Sequence, residues 1–219
     1  MNYGGRFVAQ LEDCRRILDG VNLLYLYDNS IKKIHGAAAR FKGKSYESIW
    51  RELYRNYEFT FALVDYSLIL FDVTDQNRIS FSYYENPYVF IDKNIFLAEF
   101  GAESEQWYEQ YLSEYKKESI TPVRYDFYPN DYTPGRHPVA HMHIGYANNI
   151  RIGCSYVLTP QLFLSFILRQ CYPDQWQALQ ANGGWLNERM AFQKIERNHF
   201  SEADTREFYL HFLTEREFA

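Results

Sequence analysis

The chain has 219 residues, of which 47% are apolar, so it is long enough to bury a core of its own. Its 23 Lys and Arg residues against 28 Asp and Glu residues give a formal net charge of -5, which excludes a uniformly basic nucleic-acid coat. There is no apolar run near the roughly 18 residues of a membrane span, and the cysteines lack metal-type spacing. We therefore expect a single cytoplasmic domain over residues 1–219 with no membrane association.

The first half of the chain predicts two helices followed by a sheet. Apolar residues recur every three or four positions over 7–24, and Ser45 is suited to cap a second helix. Runs rich in Phe, Leu, Ile and Val predict strands over 57–64, 67–73 and 78–84. These three strands are expected to form an antiparallel meander.

The second half of the chain predicts more elements of the same two kinds. Thr159-Pro160 is a strong helix start, because a cap residue precedes proline at the first helical position. The predicted helices cover 96–117, 159–172, 174–181, about 185–196 and a segment from Ser201, and the predicted strands cover 122–128, 138–146 and 150–158. This order indicates an α+β fold, with an antiparallel sheet of about five to six strands flanked by N- and C-terminal helices.

A basic stretch separates the two N-terminal helices. It carries five cations without an acid between Asp28 and Glu47. These cations are Lys32, Lys33, Arg40, Lys42 and Lys44. Such a run is typical either of a solvated connection or of a contact for a phosphate backbone, and the sequence leaves both readings open.

The densest group of functional side chains lies over 124–145. Side chains alternate along a strand, so His141 and His143 share one face of the second strand of the hairpin. Arg124 and Asp126 likewise share a face of the first strand. If the two strands pair, then two imidazoles, a carboxylate and a guanidinium meet on one patch.

Three chemistries fit this patch. In a metal-independent ribonuclease, His141 and His143 would be the acid and the base, Asp126 would orient a histidine, and Arg124 would hold the phosphate. No cofactor is needed for that mechanism. A divalent metal at His141 and His143 is the second option, with Asp126 or His137 as a further ligand, and a structural polar network is the third.

Other residues are candidates for binding phosphate or substrate beside the patch. They are Arg136, His137, Arg151 and Tyr132, together with the basic stretch. Arg151 would join the patch if its strand pairs with the histidine strand, and otherwise it would form a surface ion pair.

Aromatic content is the other unusual property of the chain, with 20 Tyr, 17 Phe and 4 Trp. Most of these residues fall at core-facing positions, but a surface rich in tyrosine is also typical of protein interfaces. The alternative to an enzyme is therefore a non-catalytic interaction or regulatory subunit. It would dock a partner protein, or a second copy of the chain, through an aromatic-rich surface.

Several short motifs occur in a fixed order along the second half of the chain. They are Arg124-Tyr125-Asp126, His137-Pro138-Val139-Ala140-His141-Met142-His143-Ile144-Gly145, Arg151-Ile152 and Thr159-Pro160 with Phe163, Phe166 and Ile167. This order resembles an uncharacterised bacterial family of unknown function, and the resemblance extends over most of the chain. It implies a bacterial cytosolic protein and brings no activity with it. Our functional expectation is a nucleic-acid-directed, ribonuclease-like component of a bacterial defence or toxin-type system.

Overall fold

The computed structural model describes residues 3–28, 40–75, 78–89, 93–101, 105–134, 136–146, 150–181, 193–194 and 209–210. Within these ranges, seven antiparallel strands form one sheet, and a further strand is added in parallel at one edge. The predicted α+β class is confirmed, and the sheet has more strands than the five or six expected. No helix in the described ranges has the length and apolar character needed to cross a membrane.

The strands of the sheet lie side by side in chain order from β1 to β7. They are β1 (Leu24–Tyr27), β2 (Phe61–Leu63), β3 (Leu68–Asp75), β4 (Arg78–Tyr84), β5 (Val123–Phe127), β6 (Ala140–Ile144) and β7 (Ile150–Cys154). A separate pair consists of β8 (Tyr156–Val157) and β9 (Gln193–Lys194), and β10 (Tyr209–Leu210) lies parallel to β7. The helices are α1 (Tyr3–Gly20), α2 (Tyr46–Arg55), α3 (Lys93–Phe100), α4 (Glu105–Glu114), α5 (Pro160–Cys171) and α6 (Pro173–Ala181).

The helix predicted over 7–24 ends earlier than its apolar period suggests. Asn22 adopts a φ of 56°, and the amide of Leu23 donates to the carbonyl of Leu18 at 2.9 Å. This geometry closes a helix C-terminus, so α1 stops at Gly20 and the chain turns into β1. The sequence did not predict the edge strand β1, because apolar residues continue from α1 through the turn and extend the apparent helical pattern.

Three further helix predictions are wrong. The helix expected over 96–117 is two helices, α3 and α4, and Gly101 follows the first with a φ of 60°. The helices expected over 185–196 and from Ser201 contain strands at 193–194 and 209–210, because both segments pair with strands distant in sequence. The rest of those two segments lies outside the described residues.

The main core lies on one face of the sheet, under α1 and α5. Phe71, Phe81, Tyr125 and Met142 point into it from successive strands, and Phe163 of α5 packs against the first two. A smaller core covers the other face at β2 and β3, where α2 packs on the sheet. The same second face carries polar side chains at β4–β7, and these form the candidate site.

Candidate functional site

The hairpin of β5 and β6 brings the four predicted catalytic side chains together. In its antiparallel register, Arg124 lies opposite His143 and Asp126 lies opposite His141. Residues directly opposite each other project from the same face of a sheet. The patch expected from the alternation of side chains is therefore present.

Neighbouring strands extend this pairing into two rows across the sheet. Ser80 on β4 lies opposite Asp126, and Ser82 lies opposite Arg124. On β7, Arg151 lies opposite His143. We call the resulting surface the histidine face; it consists of Ser80, Ser82, Arg124, Asp126, His141, His143 and Arg151.

Asp126 is the centre of the hydrogen bonding on the histidine face. Ser80 Oγ donates to Asp126 Oδ1 at 2.8 Å, and Arg124 Nε donates to Oδ2 at 2.8 Å. The same Oδ2 lies 3.5 Å from His143 Nε2 and 3.9 Å from His141 Nε2. A buried carboxylate requires such partners, since an unpaired charge in the protein interior is strongly destabilising.

The ring of His141 has a defined orientation. Its Nδ1 lies 3.1 Å from the carbonyl oxygen of Pro138, and a carbonyl only accepts, so Nδ1 carries the hydrogen. Burial lowers the pKa of His141 to about 4, which keeps the ring neutral near pH 7. Nε2 of the neutral ring is then an acceptor, and it is directed towards Asp126.

Three imidazoles follow one another along this segment. The ring centroids of His137 and His141 are 4.7 Å apart, as are those of His141 and His143, and both pairs are nearly perpendicular. His137 is half-buried, and its Nδ1 has no hydrogen-bond partner among the described residues. His137 therefore borders the histidine face.

Exposure varies sharply across the histidine face. His141 is 1% exposed and His143 is 3% exposed, whereas the Arg124 side chain is 35% exposed and Arg151 is also exposed. The histidine face thus combines buried imidazole and carboxylate groups with two more exposed arginine side chains. Solvent therefore reaches the two arginine side chains far more readily than the two histidines.

The other predicted binding residues have different environments. Arg136 is exposed in the turn before β6, and Tyr132 is half-buried against the main core. Lys42 is exposed, and Lys32 and Lys33 lie outside the described residues.

The two remaining cations of the basic stretch, Arg40 and Lys44, form ion pairs with carboxylates. Arg40 donates to Glu52 and to Glu58 at 2.6 Å each, and Lys44 donates to Glu52 at 2.5 Å. The basic stretch looked unopposed in sequence because these acids belong to α2 and to the loop after it. Their pairing reduces the charge that a phosphate backbone would meet there.

Two partners at the site were missed from the sequence. Ser80 was seen only as a polar position of an alternating strand, although it donates to Asp126. The Pro138 carbonyl that orients His141 leaves no side-chain signal at all. Only the register of β4 with β5 indicates the role of Ser80.

Fold and site together define an α+β protein with a buried His–His–Asp cluster beside two arginines on one face of an antiparallel sheet. Residues 26–213 match the model of the family described as "Uncharacterized conserved protein (DUF2290)", and the chain belongs to that family. This confirms the resemblance to a family of unknown function. No match was found among curated proteins or among solved structures.

Proposed function

We propose that the protein cleaves phosphodiester bonds of nucleic acid at the histidine face. The observation that carries this proposal is the position of His143 between two arginines. Arg124 and Arg151 lie opposite it on the two neighbouring strands, and both side chains are accessible to solvent. Asp126 and His141 lie in the adjacent row.

Paired guanidinium groups are suited to hold a phosphate. Arginine binds phosphate oxygens through a planar set of N–H donors, and it stays charged at any physiological pH. Arg124 donates its Nε–H to Asp126, and its two Nη atoms carry further donors. Because the whole chain is acidic, attraction of a polyanion depends on such a local patch.

Burial of the two rings restricts the chemistry. The metal-independent mechanism predicted from the sequence requires substrate oxygens within hydrogen-bond reach of both imidazoles. At 1% and 3% exposure, the rings of His141 and His143 offer little surface for such contact. The roles of acid and base for these two residues therefore remain a prediction, which cleavage in the presence of a chelator tests directly.

The experiment is a cleavage assay on single-stranded RNA, double-stranded RNA and single-stranded DNA. We expect His143→Ala to lose at least about 100-fold in rate, and Arg151→Ala to lose about tenfold through weaker substrate binding. Arg169→Ala, which removes an exposed cation from α5 on the opposite face of the sheet, is the matched control and should cleave as the wild type does. A wild-type protein without activity on all three substrates, or variants equal to it, would remove the proposal.

A second candidate function is supported by an aromatic row on α3 and α4. Phe100, Phe96, Tyr111 and Tyr115 are in ring contact in that order, with centroid separations of 4.9, 4.8 and 4.4 Å. Trp107, also on α4, is 66% exposed. Exposed apolar surface of this kind marks protein interfaces.

The occupant that fits this row is a partner protein with a basic rim around an apolar patch. Glu99 and Glu114 are exposed on the same two helices, so a second copy of the chain would bring like charges together. As a non-catalytic subunit, the protein would bind such a partner at a fixed stoichiometry, and Trp107→Ser would abolish the complex. A complex unchanged by that substitution would exclude the row as the interface.

The role in a bacterial defence or toxin-type system has a test in cells. A toxin-type nuclease arrests growth when it is expressed in bacteria, and His143→Ala should relieve the arrest. Equal growth with both proteins would count against a toxin-type role.

A further inference from the structure

Three buried ligand atoms converge on the histidine face. Those of Asp126, His141 and His143 all lie within 4.8 Å of one another. The Asp126 Oδ2 atom is 3.5 Å from His143 Nε2 and 3.9 Å from His141 Nε2. Nitrogen and oxygen ligands of one tetrahedral ion are separated by about 3.3–3.6 Å, so small side-chain shifts suffice for all three to share a cation.

The orientation of His141 favours a cation at this point. Since Nδ1–H donates to the Pro138 carbonyl, the lone pair of Nε2 faces the carboxylate of Asp126. Two acceptors directed at each other repel, and a positive ion between them removes the repulsion. Donation of the second ring N–H to a backbone carbonyl is also the usual arrangement for a histidine that binds metal.

The hydrogen bonds to Asp126 leave room for coordination. The hydroxyl of Ser80 donates to Oδ1 and so orients the carboxylate, and Arg124 donates to Oδ2. A carboxylate oxygen has two lone pairs, so Oδ2 can accept from Arg124 and bind an ion at the same time. Ser80 and Arg124 would then support the ligand as outer-shell partners do in metal sites.

We infer that Asp126, His141 and His143 bind one divalent first-row transition ion, such as Zn²⁺. Two imidazoles and one carboxylate suit that class of ion, and three protein ligands leave a coordination position for water or substrate. Burial of the two rings is compatible with this site, because a single ion needs far less space to reach them than a nucleic-acid strand does. The site is a property of these three side chains and holds whether or not the substrate is nucleic acid.

Metal binding by the full-length chain tests the inference. Protein purified without chelator should contain about one ion per chain, and stripped protein should bind one Co²⁺ with visible absorption bands. His141→Ala, His143→Ala and Asp126→Asn should each weaken Zn²⁺ binding by more than about 100-fold, and Ser80→Ala by about tenfold. Asp131→Asn is the matched control, because it alters an exposed carboxylate between β5 and β6 and should bind as the wild type does.

Circular dichroism identifies any ligand variant that does not fold. In that case the Co²⁺ titration of the wild type and the Zn²⁺ affinity of Ser80→Ala decide the question. Less than about a tenth of an ion per chain, both as purified and after titration, would overturn the inference. Equal affinity of Ser80→Ala and the wild type would also count against it.

The outcomes separate this inference from the proposed nuclease. Cleavage that survives chelation, in protein that binds no metal, would retain the nuclease and overturn the metal site. Stoichiometric binding that depends on the three ligands, without cleavage, would support the metal site and remove the nuclease.

Discussion

At the scale of single residues, buried polar groups depend on partners that lie far away in the chain. Tyr172 donates to Asp65 Oδ2 at 2.9 Å, and its hydroxyl oxygen is 3.1 Å from that of Tyr83. Asp65 also accepts from the amide and the hydroxyl of Ser67. This network joins the turn before β3 to the end of α5, on the face of the sheet opposite the histidine face.

Removal of the Tyr172 hydroxyl tests the network. In Tyr172→Phe, Asp65 and Tyr83 each lose a buried partner, so the free energy of unfolding should fall by about 1–2 kcal/mol. Urea unfolding measures the change. Tyr57→Phe alters a ring that is 62% exposed and should stay within about 0.5 kcal/mol of the wild type. Equal stability of the two variants would show that the network contributes nothing.

A second prediction at this scale concerns pH. Hydrogen bonds from Lys44 and then from Arg40 lower the pKa of Glu52 below its ordinary value of 4.5. The pKa is lower in the folded chain than in the unfolded one, so the stabilisation is present above pH 4.5 and disappears as the pH falls through the folded value.

Glu52→Gln should therefore reduce Tm at pH 7, and the difference from the wild type should shrink at about pH 3. Thermal unfolding at the two pH values measures this, and Glu118→Gln is an exposed control. A Tm difference that grows in acid would contradict a lowered pKa of Glu52 in the folded chain.

At the scale of elements, the positions of turns decide which strands exist. The cap at Asn22 ends α1 and allows β1 to pair with β2. In the same way, the N-cap at Thr159, which accepts from the amide of Leu162, starts α5 at the residue expected from the sequence. Local residue chemistry thus explains both boundaries, although an apolar period hid the first one.

Substitution of Asn22 tests the cap. With a φ of 56°, this position suits glycine or asparagine, and other side chains are strained there. Asn22→Ala should lower the free energy of unfolding by about 1 kcal/mol, whereas Asn22→Gly should stay within about 0.5 kcal/mol of the wild type. Urea unfolding of the two variants checks the prediction, and the reverse order of stability would refute it.

At the scale of the whole molecule, the two faces of the sheet have different roles. Among the described residues, helices α1 and α5 cover one face with an aromatic core, and α2 covers the β2–β3 end of the other. The polar side chains of β4–β7 occupy the rest of that second face. The site therefore lies on a sheet that the main core stabilises from behind.

Substitution of Phe163 tests how much the packing of the main core contributes to the stability of the sheet. It is fully buried, and its ring lies 6.0 Å from that of Phe71 and 5.8 Å from that of Phe81. Phe163→Ala should cost about 3–5 kcal/mol, and Phe163→Leu, which keeps most of the volume, about 1 kcal/mol. Denaturant unfolding provides the measurement. Costs that are equal in the two variants would show that packing volume is not the cause.

Local patterns predicted much of the fold. The meander of β2–β4 follows from runs of strand-forming residues, and the hairpin of β5 and β6 follows from alternation on either side of a proline-containing loop. Strand alternation also placed His141 and His143 on one face, together with Arg124 and Asp126. These features repeat over a few residues, so the sequence alone determined them.

Only the tertiary structure decided how those side chains are used. The register of β4, β5 and β7 adds Ser80 and Arg151 to the histidine face, and α2 and the loop after it supply the acids that pair with Arg40 and Lys44. Burial of the imidazoles was equally invisible in the sequence. All of these depend on contacts between residues far apart in the chain, and a periodic pattern in one segment carries no information about which distant segment will pack against it.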